Sequence, residues 1–517
     1  MRKIRKLLVA SLAFAAPLPT SLAFAQSAPA APASSSPVEL TTLKLMLQKG
    51  LISQAEYDSA VRDLTESAGS GAGDKGTVVL GKWATTFYGF VEADSIYDST
   101  QSFTEVAGNN QVQRSPTAPL PGSTGTRYAG EHGRTQFSVR NSRFGFRLKA
   151  PELGSVRTSA TLELDLLGNQ PAVSESAFYT SPTARVRHAN LKIETPIVDV
   201  LVGQYWHLFG WQSVYHPNTV EIQGVPGELY SRTPQIRVMR KFEFGKMQLE
   251  IAGAAMRPPQ RDGEVPEFQG GLRFAFNGWN GMTTAGSTGT ALMPLSIAVT
   301  GDYRNFNVNE LSLTPTRAVS KSTSAIAIDA FVPVLAATKE SKGNALSLNG
   351  EFASGYGISD MYSGMTLGVT NPSIPGSGAA GAVPYVANVD PNLVVFDPYV
   401  ANQSALHGIQ LTTYLFGIQY YLPGLDGRYW VSANYAHIES NNAKNFVRYT
   451  VAADPLQSQY AYAGLVRESE DWWDVNLFGD ITQGVRLGLE YANFNDRYQD
   501  GIRAVNHRVQ ASGFFIF

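Results

Sequence analysis

The sequence predicts an all-β protein: an antiparallel transmembrane β-barrel of about 16 strands, with a short periplasmic helical segment before it. Two observations lead to this fold class. From Trp83 to Phe517 apolar and polar residues alternate with a period of two, as strands with one apolar face require. The connections between these segments alternate between tight turns and long loops, which is typical of a barrel with one periplasmic and one exterior rim.

The composition excludes several other classes. After residue 25 there is no run of about 18 predominantly apolar residues, so the chain either is a soluble periplasmic protein or crosses a membrane as a closed barrel. Charged residues make up 16% of the 517 residues, well below the roughly 25% of an average soluble protein. The absence of cysteine excludes a disulfide scaffold and thiolate metal sites.

Residues 1–25 are a predicted signal peptide. Arg or Lys occupies four of the first six positions, an apolar stretch follows, and Ala23-Phe24-Ala25 supplies a small-x-small cleavage site. Without those four cations the chain has 37 basic and 43 acidic residues, so its net charge changes from −2 to −6. We therefore expect no nucleic-acid partner.

Three short segments are predicted between the signal peptide and the barrel. Residues 26–38 are an Ala/Pro/Ser linker and residues 67–82 a Gly-rich linker. Between them, residues 39–66 have helical apolar spacing, and Ser53 with Glu56 forms a capping box for a second helix. This pattern predicts a periplasmic helical hairpin or a coiled-coil stub, which either associates with copies of itself or docks on the barrel.

Residues 83–517 are predicted to form the transmembrane barrel. The alternation is clearest in residues 156–166, where even positions are mainly apolar and odd positions are polar or charged. Candidate strands begin near residues 83, 134, 155, 185, 198, 234, 246, 266, 294, 322, 345, 407, 428, 471, 483 and 504. The connections after the even-numbered strands are short, except that those after strands eight and ten are longer than the pattern requires.

Aromatic residues support the barrel. A set of Trp and Tyr residues lies mostly near predicted strand ends, where interfacial girdles occur, although ordinary core aromatics are the alternative. The set comprises Trp83, Tyr88, Trp206, Trp211, Trp279, Tyr420, Tyr421, Trp430, Trp472 and Trp473. The chain ends in an alternating strand whose last residue, Phe517, resembles the signal read by the barrel-assembly machinery of the outer membrane.

A ladder of basic residues is predicted to face the lumen of the early strands. Apolar parity flips near Asn141-Ser142, which a β-bulge explains. The cost of placing such cations at the lipid midplane is about 2 to 4 kcal/mol each. The ladder comprises Arg140, Arg143, Arg147, Arg157, Arg237, Lys241 and Arg273. Its members either form an anion-attracting constriction or fill the lumen as a salt-bridge network with Glu163, Asp165, Glu243 and Glu351.

The segment from Gly203 to Arg237 is too polar for a lipid face and too aromatic for a solvated loop. We expect it to fold inward and narrow the pore; an outer cap is the alternative. Its candidate constriction residues are His207, His216, Glu221, Glu228 and Arg232. No catalytic motif, close His spacing or phosphate-binding loop is present, so the sequence predicts no catalytic residues, no metal and no cofactor.

Six segments, in order, resemble the DcaP-like trimeric outer-membrane porins. They are FYGFVEADSIYD (87–98), RNSRFGFRLKAPELG (140–154), LELDLLGN (162–169), RVRHANLKI (185–193), VGQYWHLF (202–209) and SRTPQIRV (231–238). The resemblance implies a 16-stranded barrel, a homotrimer, a periplasmic helical extension and passive uptake of small anions such as dicarboxylates. It also implies that Arg143, Arg147 and Arg237 form a basic eyelet.

The leading functional hypothesis is a diffusion porin in the outer membrane of a Gram-negative bacterium, with its N-terminal segment in the periplasm. Barrels of roughly 16 strands enclose an aqueous channel. The expected partners are outer-membrane lipid, two further copies of the chain, the barrel-assembly machinery and small anionic solutes. An outer-membrane hydrolase or a surface adhesin built on a barrel is the alternative.

Overall fold

A computed structural model shows a closed antiparallel β-barrel. The residues it describes are 46–49, 53–54, 57, 77–80, 83–113, 130, 132–168, 182–221, 223–260, 263–310, 316–338, 342–365, 392–395, 406–443, 467–499 and 501–517. The predicted signal peptide (1–25) and the Ala/Pro/Ser linker (26–38) lie outside the described residues, as does the predicted Gly-rich linker (67–82) except for residues 77–80. The chain divides into two compact units, Met1–Lys75 and Gly76–Phe517.

In the first unit, residues 46–48, 54 and 57 are helical, and the rest of the predicted helical segment (39–66) lies outside the described residues. Among the described residues, no helix has the length and apolar character needed to span a membrane.

The second unit is a barrel of 16 strands, β1 to β16, in which each strand pairs with the next along the chain. The strands are β1 Trp83–Asp98, β2 Arg134–Ser138 continued by Arg143–Lys149, β3 Arg157–Asp165, β4 Arg185–Glu194, β5 Asp199–Trp206, β6 Arg232–Phe244, β7 Met247–Met256, β8 Glu267–Ala285, β9 Gly289–Asn309, β10 Ala318–Leu335, β11 Leu346–Tyr356, β12 Gln410–Tyr421, β13 Tyr429–Ser440, β14 Arg467–Asp480, β15 Val485–Tyr498 and β16 Arg503–Ile516.

The wall is apolar outside and polar inside, which identifies it as a membrane-spanning barrel. On β15, Leu489 is 47% exposed, whereas its neighbour Glu490 is 1% exposed. The same alternation recurs around the wall, because successive side chains of a strand point to opposite faces. On β2 the strand is interrupted at residues 139–142. After this interruption Phe144, Phe146 and Leu148 share the outer face.

The barrel closes by pairing of the first and last strands. Residues Phe90 to Asp98 of β1 pair with Ile516 to Arg508 of β16. The terminal residue completes the seam: the amide of Phe517 donates to the carbonyl of Gly89, and the Gly89 amide donates to the carbonyl of Phe517, both at 3.1 Å. A short strand, Thr77–Leu80, precedes β1 and pairs with its start.

The two rims of the barrel differ as predicted. We call the end with the connections after even-numbered strands the turn rim, and the opposite end the loop rim. The expectation of a long connection after strand eight is wrong, because β8 and β9 extend to Ala285 and Gly289 and leave only three residues between them. The connection after β10, residues 336–345, is longer than the other turns.

The aromatic girdle is only partly present. Trp83, Trp279 and Trp473 are exposed on the outer face. The prediction is wrong for five other residues, which are buried inside the barrel where they pack against inward-folded segments: Trp206, Trp211, Tyr421, Trp430 and Trp472. Alternation places a side chain on one face of a strand, but proximity to a strand end does not decide which face.

Candidate functional site

The connection after β5 lies inside the barrel. This inner loop, residues 207–231, crosses the lumen from β5 to the opposite wall. Its residue Asn218 accepts a 3.0 Å hydrogen bond from the indole of Trp430 on β13. The Val220 amide donates to the carboxylate of Glu490 on β15 at 2.8 Å. At its far end, the Leu229 amide donates to Glu351 on β11 at 2.8 Å. These anchors fix the loop across the channel.

Four arginines on one side of the lumen surround two carboxylates. We call Arg143, Arg185, Arg187 and Arg232 the arginine cluster. Arg187 bonds to Glu163 at 2.7 Å and to Asp165 at 3.2 Å. Arg185 bonds to Asp165 at 2.6 Å, and Arg143 lies 3.7 Å from Glu163. Because two carboxylates face four guanidinium groups, this side of the lumen keeps a net positive charge.

Aromatic rings position the cluster. The guanidinium of Arg232 lies 4.7 Å from the ring centroid of Trp206 and 5.2 Å from that of Tyr230. Arg187 donates to the Tyr230 hydroxyl at 3.1 Å. Burial alone raises the pKa of the Tyr230 phenol, but Arg187 and Arg232 outweigh it and leave this pKa below its ordinary value. The two guanidinium groups thus create a positive potential at this end of the inner loop.

A cleft in the lumen lies between part of the arginine cluster and part of the inner loop. Its basic side includes Arg143 and Arg187, and its opposite side is built from the inner loop. The tip of the β8–β9 hairpin, residues 285–288, closes its third side. The cleft is therefore bounded by a charged wall, a buried loop and an uncharged hairpin tip.

The predicted basic ladder is divided among different environments. Arg143 borders the cleft, and Arg147 faces the lumen in contact with water, 4.2 Å above the ring of Tyr88. Arg140 is buried in a bond to Glu105. Arg237 is buried and donates to the Trp206 carbonyl, so it does not border the cleft.

The remaining ladder residues also lie away from the cleft. Arg273 is buried 3.5 Å from Glu250. Arg157 is exposed and lies 3.8 Å from Glu194, close to the turn rim. Lys241 is exposed near the end of β6. Some members of the ladder therefore pair with carboxylates, and others are exposed.

The candidate residues of the inner loop are likewise divided. His216, Glu221 and Glu228 border the cleft. The ring of His216 bonds to Glu228 at 2.8 Å. Glu221 accepts from Arg508 at 3.1 Å and from the Ala107 amide at 2.6 Å, so its charge is held by the far wall.

His207 lies outside the cleft, at the base of the inner loop. Its ring bonds to the Thr233 hydroxyl at 2.8 Å and contacts Gln269 at 3.2 Å. Burial lowers the pKa of His207 to about 4, so the ring is neutral at physiological pH. This residue anchors the loop.

Two cluster members, Arg185 and Arg187, were not among the predicted site residues. They lie in the segment RVRHANLKI, where Val186 is exposed on the outer face and Arg187 is fully buried. The alternation Arg-Val-Arg at the start of a strand was the signal that could have found them. Among the described residues no group of three or more His, Asp or Glu side chains is placed to hold a metal ion.

These features define a class: a membrane-spanning 16-stranded barrel whose lumen is narrowed by an inner loop beside a basic wall. The structure is similar to the crystal structure of the outer membrane channel DcaP of Acinetobacter baumannii, with a TM-score of 0.55, 15% identity and coverage of 85% of this chain and 99% of that chain. At this identity the likeness establishes the fold, and the predicted resemblance to DcaP-like proteins is confirmed at that level.

Two other solved structures are similar at lower scores. They are Pseudomonas putida OprB, at TM-score 0.47 and 11% identity over 83% of this chain and 94% of that chain, and an anion-selective porin from Comamonas acidovorans, at TM-score 0.44 and 10% identity over 84% and 100%. No protein-family model matches the chain. No curated protein matches it either.

Proposed function

We propose that the protein is an outer-membrane porin through which small hydrophilic solutes diffuse passively, with a preference for anions such as dicarboxylates. The observation that supports this proposal is the arginine cluster on the cleft. Four guanidinium groups and two carboxylates leave an excess of positive charge on the wall side of the cleft. On the inner-loop side, Glu221 is paired with Arg508 and Glu228 bonds to His216. Walls of low dielectric constant focus such a field on a passing carboxylate and raise its local concentration.

The cleft must bind a solute only weakly, so that the solute can leave again. Arg143 meets this need, because its side chain is 20% exposed and its nearest carboxylate is 3.7 Å away. A solute carboxylate can replace part of its hydration without displacing a tight ion pair. Arg147, further towards the turn rim, offers a second water-exposed cation along the path. Two successive weak sites favour conduction over retention.

The surroundings of the channel complete the proposal. The exposed apolar outer face fits the lipid of a Gram-negative outer membrane, with residues before the barrel in the periplasm. Part of the outer face forms a shallow groove, which is lined by Gly270, Leu272, Val299 and Gly301. A homotrimer would cover faces of this kind. Phe517 is proposed as the feature read by the barrel-assembly machinery. Chemical cross-linking in native membranes tests the trimer.

The charge preference is tested in planar lipid bilayers. The wild-type protein is expected to give stepwise, ohmic conductance and a reversal potential of anionic sign in a salt gradient. The double variant Arg143→Gln/Arg147→Gln should lose most of this selectivity, because it removes the cation on the cleft, Arg143, and the exposed cation further along the lumen, Arg147. Arg317→Gln is the matched control, since Arg317 is exposed on the loop rim and pairs with Glu310 at 2.7 Å.

The outcomes separate the parts of this proposal. Absence of conductance in the folded wild-type protein would overturn the porin function. Conductance with an unchanged reversal potential in the double variant would overturn the role of these arginines. A panel of mono- and dicarboxylates as competing permeants then measures which anions are preferred.

A further inference from the structure

The β8–β9 hairpin leaves the barrel wall at the turn rim. Pairing between β7 and β8 ends at Met247 with Phe276. Pairing between β9 and β10 ends at Ser296 with Phe331. Residues 280–294, the inner hairpin, pair only with each other in the sheet, and a register shift between Phe276 and Asn280 precedes them. The hairpin is therefore outside the ladders of both neighbouring strands and bends at a bulge.

Burial shows where the inner hairpin lies. In the wall, exposed and buried residues alternate, whereas residues 281–284 are all buried. Loss of alternation means that both faces of this first arm of the hairpin are enclosed, whereas Gly289 and Ala291 on the returning arm are exposed. Met282 packs with Phe90 on β1 and Phe478 on β14 in one apolar cluster inside the barrel. The hairpin thus occupies the lumen.

The tip of the inner hairpin is fixed to the opposite wall. Arg486 on β15, six strands further round the barrel from β9, donates to the Ser287 carbonyl at 2.8 Å and to the Thr290 hydroxyl at 3.0 Å. On β12, the Gln419 side chain accepts from the Thr284 amide at 2.8 Å. Bonds to two distant strands hold the hairpin across the channel.

The inner hairpin also meets the inner loop. The Gly286 amide donates to the Pro217 carbonyl at 2.8 Å, and the Asn218 side chain donates to the Gly286 carbonyl at 2.7 Å. Residues 285–288 border the cleft together with Arg143 and Arg187. A segment from the turn rim and a loop from the loop rim therefore join beside the same basic wall.

We infer that the inner hairpin is the second structural element of the constriction and sets the width of the passage along the arginine cluster. Its sequence, NGMTTAGSTGTALMP, contains no charged residue. It narrows the passage without supplying a carboxylate that would neutralise the arginines. The hydroxyl groups and backbone at its tip give a solute carboxylate a neutral polar surface opposite the guanidinium groups. This inference rests on the proposed porin function.

Cysteine accessibility tests the inference, because the chain has no cysteine of its own. Thr288 borders the cleft and is partly exposed. Thr288→Cys is treated in a bilayer with sulfonatoethyl methanethiosulfonate, whose thiol exchange leaves an anionic group on the cysteine and releases methanesulfinate. Conductance is expected to fall by about half or more, with anion selectivity reduced, and a reducing agent should restore both.

The matched control is Thr482→Cys, which lies exposed in the turn after β14 on the same rim. It should react, as mass spectrometry shows, and leave conductance unchanged. A Thr288→Cys thiol that does not react, or that reacts without lowering conductance, would overturn the inference. Wild-type conductance measured first separates this outcome from a failure of the porin function.

Shortening the inner hairpin provides a second test. Asn280 and Pro294 are paired, so an Asn-Gly turn can join them in place of residues 281–293. A folded variant, identified by its heat-modifiable gel mobility, is expected to conduct about twofold or more above wild type. Unchanged conductance in this folded variant would show that the hairpin does not limit the passage. The cysteine experiment stands if the shortened variant does not fold.

Discussion

Among the described residues, the lumen contains two kinds of arginine site, and they differ in how completely carboxylates surround the arginines. On β16, Arg508 is 0% exposed and pairs with Asp98 at 3.0 Å and Glu221 at 3.1 Å. On β9, Arg304 is bonded to Glu267 and Asp360 at 3.1 and 2.6 Å. In the arginine cluster, by contrast, four guanidinium groups share two carboxylates.

This difference separates structural from functional charge. An arginine paired with two carboxylates, which we call saturated, presents no positive charge to a solute, because its field is cancelled within a few ångströms. It instead ties an inward-folded segment to the wall, as Arg508 does for the inner loop through Glu221. An unsaturated cluster presents net charge to the cleft. We therefore expect anion selectivity to depend on the ratio of arginines to their carboxylate partners, and not on the number of inward arginines.

The largest expected effect comes from breaking a saturated site. Arg508→Gln leaves the carboxylates of Asp98 and Glu221 buried without their cation, and loss of one partner from such a site costs about 3 to 5 kcal/mol. We expect a lower free energy of unfolding in urea, followed by tryptophan fluorescence in lipid vesicles. Arg317→Gln, in an exposed pair, should change it by less than about 0.5 kcal/mol. Equal effects of the two substitutions would contradict the distinction between the sites.

The wall of the barrel was predictable from the sequence, whereas the carboxylate partners of Arg508 and Arg304 were not. Alternation between lipid and lumen repeats every two residues, so the wall strands could be recognised locally. The partners of the arginines come from residues far along the chain, as with Arg508 and Glu221. The period of a strand shows which way Arg508 points and contains no information on what it meets across the lumen.

The inner hairpin was missed for a related reason. Residues 278–293 alternate poorly, in part because both faces of residues 281–284 are enclosed, and the sequence pattern therefore predicted a long turn. The inward fold of the inner loop was expected from its aromatic and polar composition. Its anchors on Trp430, Glu490 and Glu351 could not be expected, since they depend on three-dimensional closure of the barrel.

A smaller loss of stability is expected when His207 gains a positive charge beside the saturated site of Arg304. His207 lies 3.7 Å from Glu267, which Arg304 already occupies. Burial lowers the pKa of His207 in the folded protein to about 4, whereas in the unfolded chain it is about 6.5. As the pH falls from about 6.5 towards about 4, the unfolded chain therefore takes up a proton that the folded protein does not, and the fold loses stability.

The measurement is the free energy of unfolding in urea at two pH values. The wild type should lose about 2 kcal/mol more than His207→Gln when the pH falls from about 7.5 to about 5. Glutamine can keep the bond to Thr233 but does not titrate. Parallel losses in both proteins would show that the surroundings of Arg304 accept the additional proton without cost.

The smallest expected effect is a change in ion selectivity at the arginine cluster, where the arginines are not saturated by carboxylates. Glu163→Gln removes a carboxylate shared by Arg143 and Arg187 and leaves Asp165 in place. The positive excess at the cleft rises by one charge, so the ratio of anion to cation permeability should increase by less than about twofold, or under about 0.5 kcal/mol. Reversal potentials in a salt gradient measure this change.

Glu310→Gln, which removes a carboxylate from the exposed pair with Arg317, is the matched control and should leave the ratio unchanged. If both variants shift the ratio equally, the selectivity arises from the total charge of the protein. If Glu163→Gln alone shifts it, the ratio of arginines to carboxylates at the cleft determines which ions pass, because only charges within about one Debye length of the path act on a permeating ion.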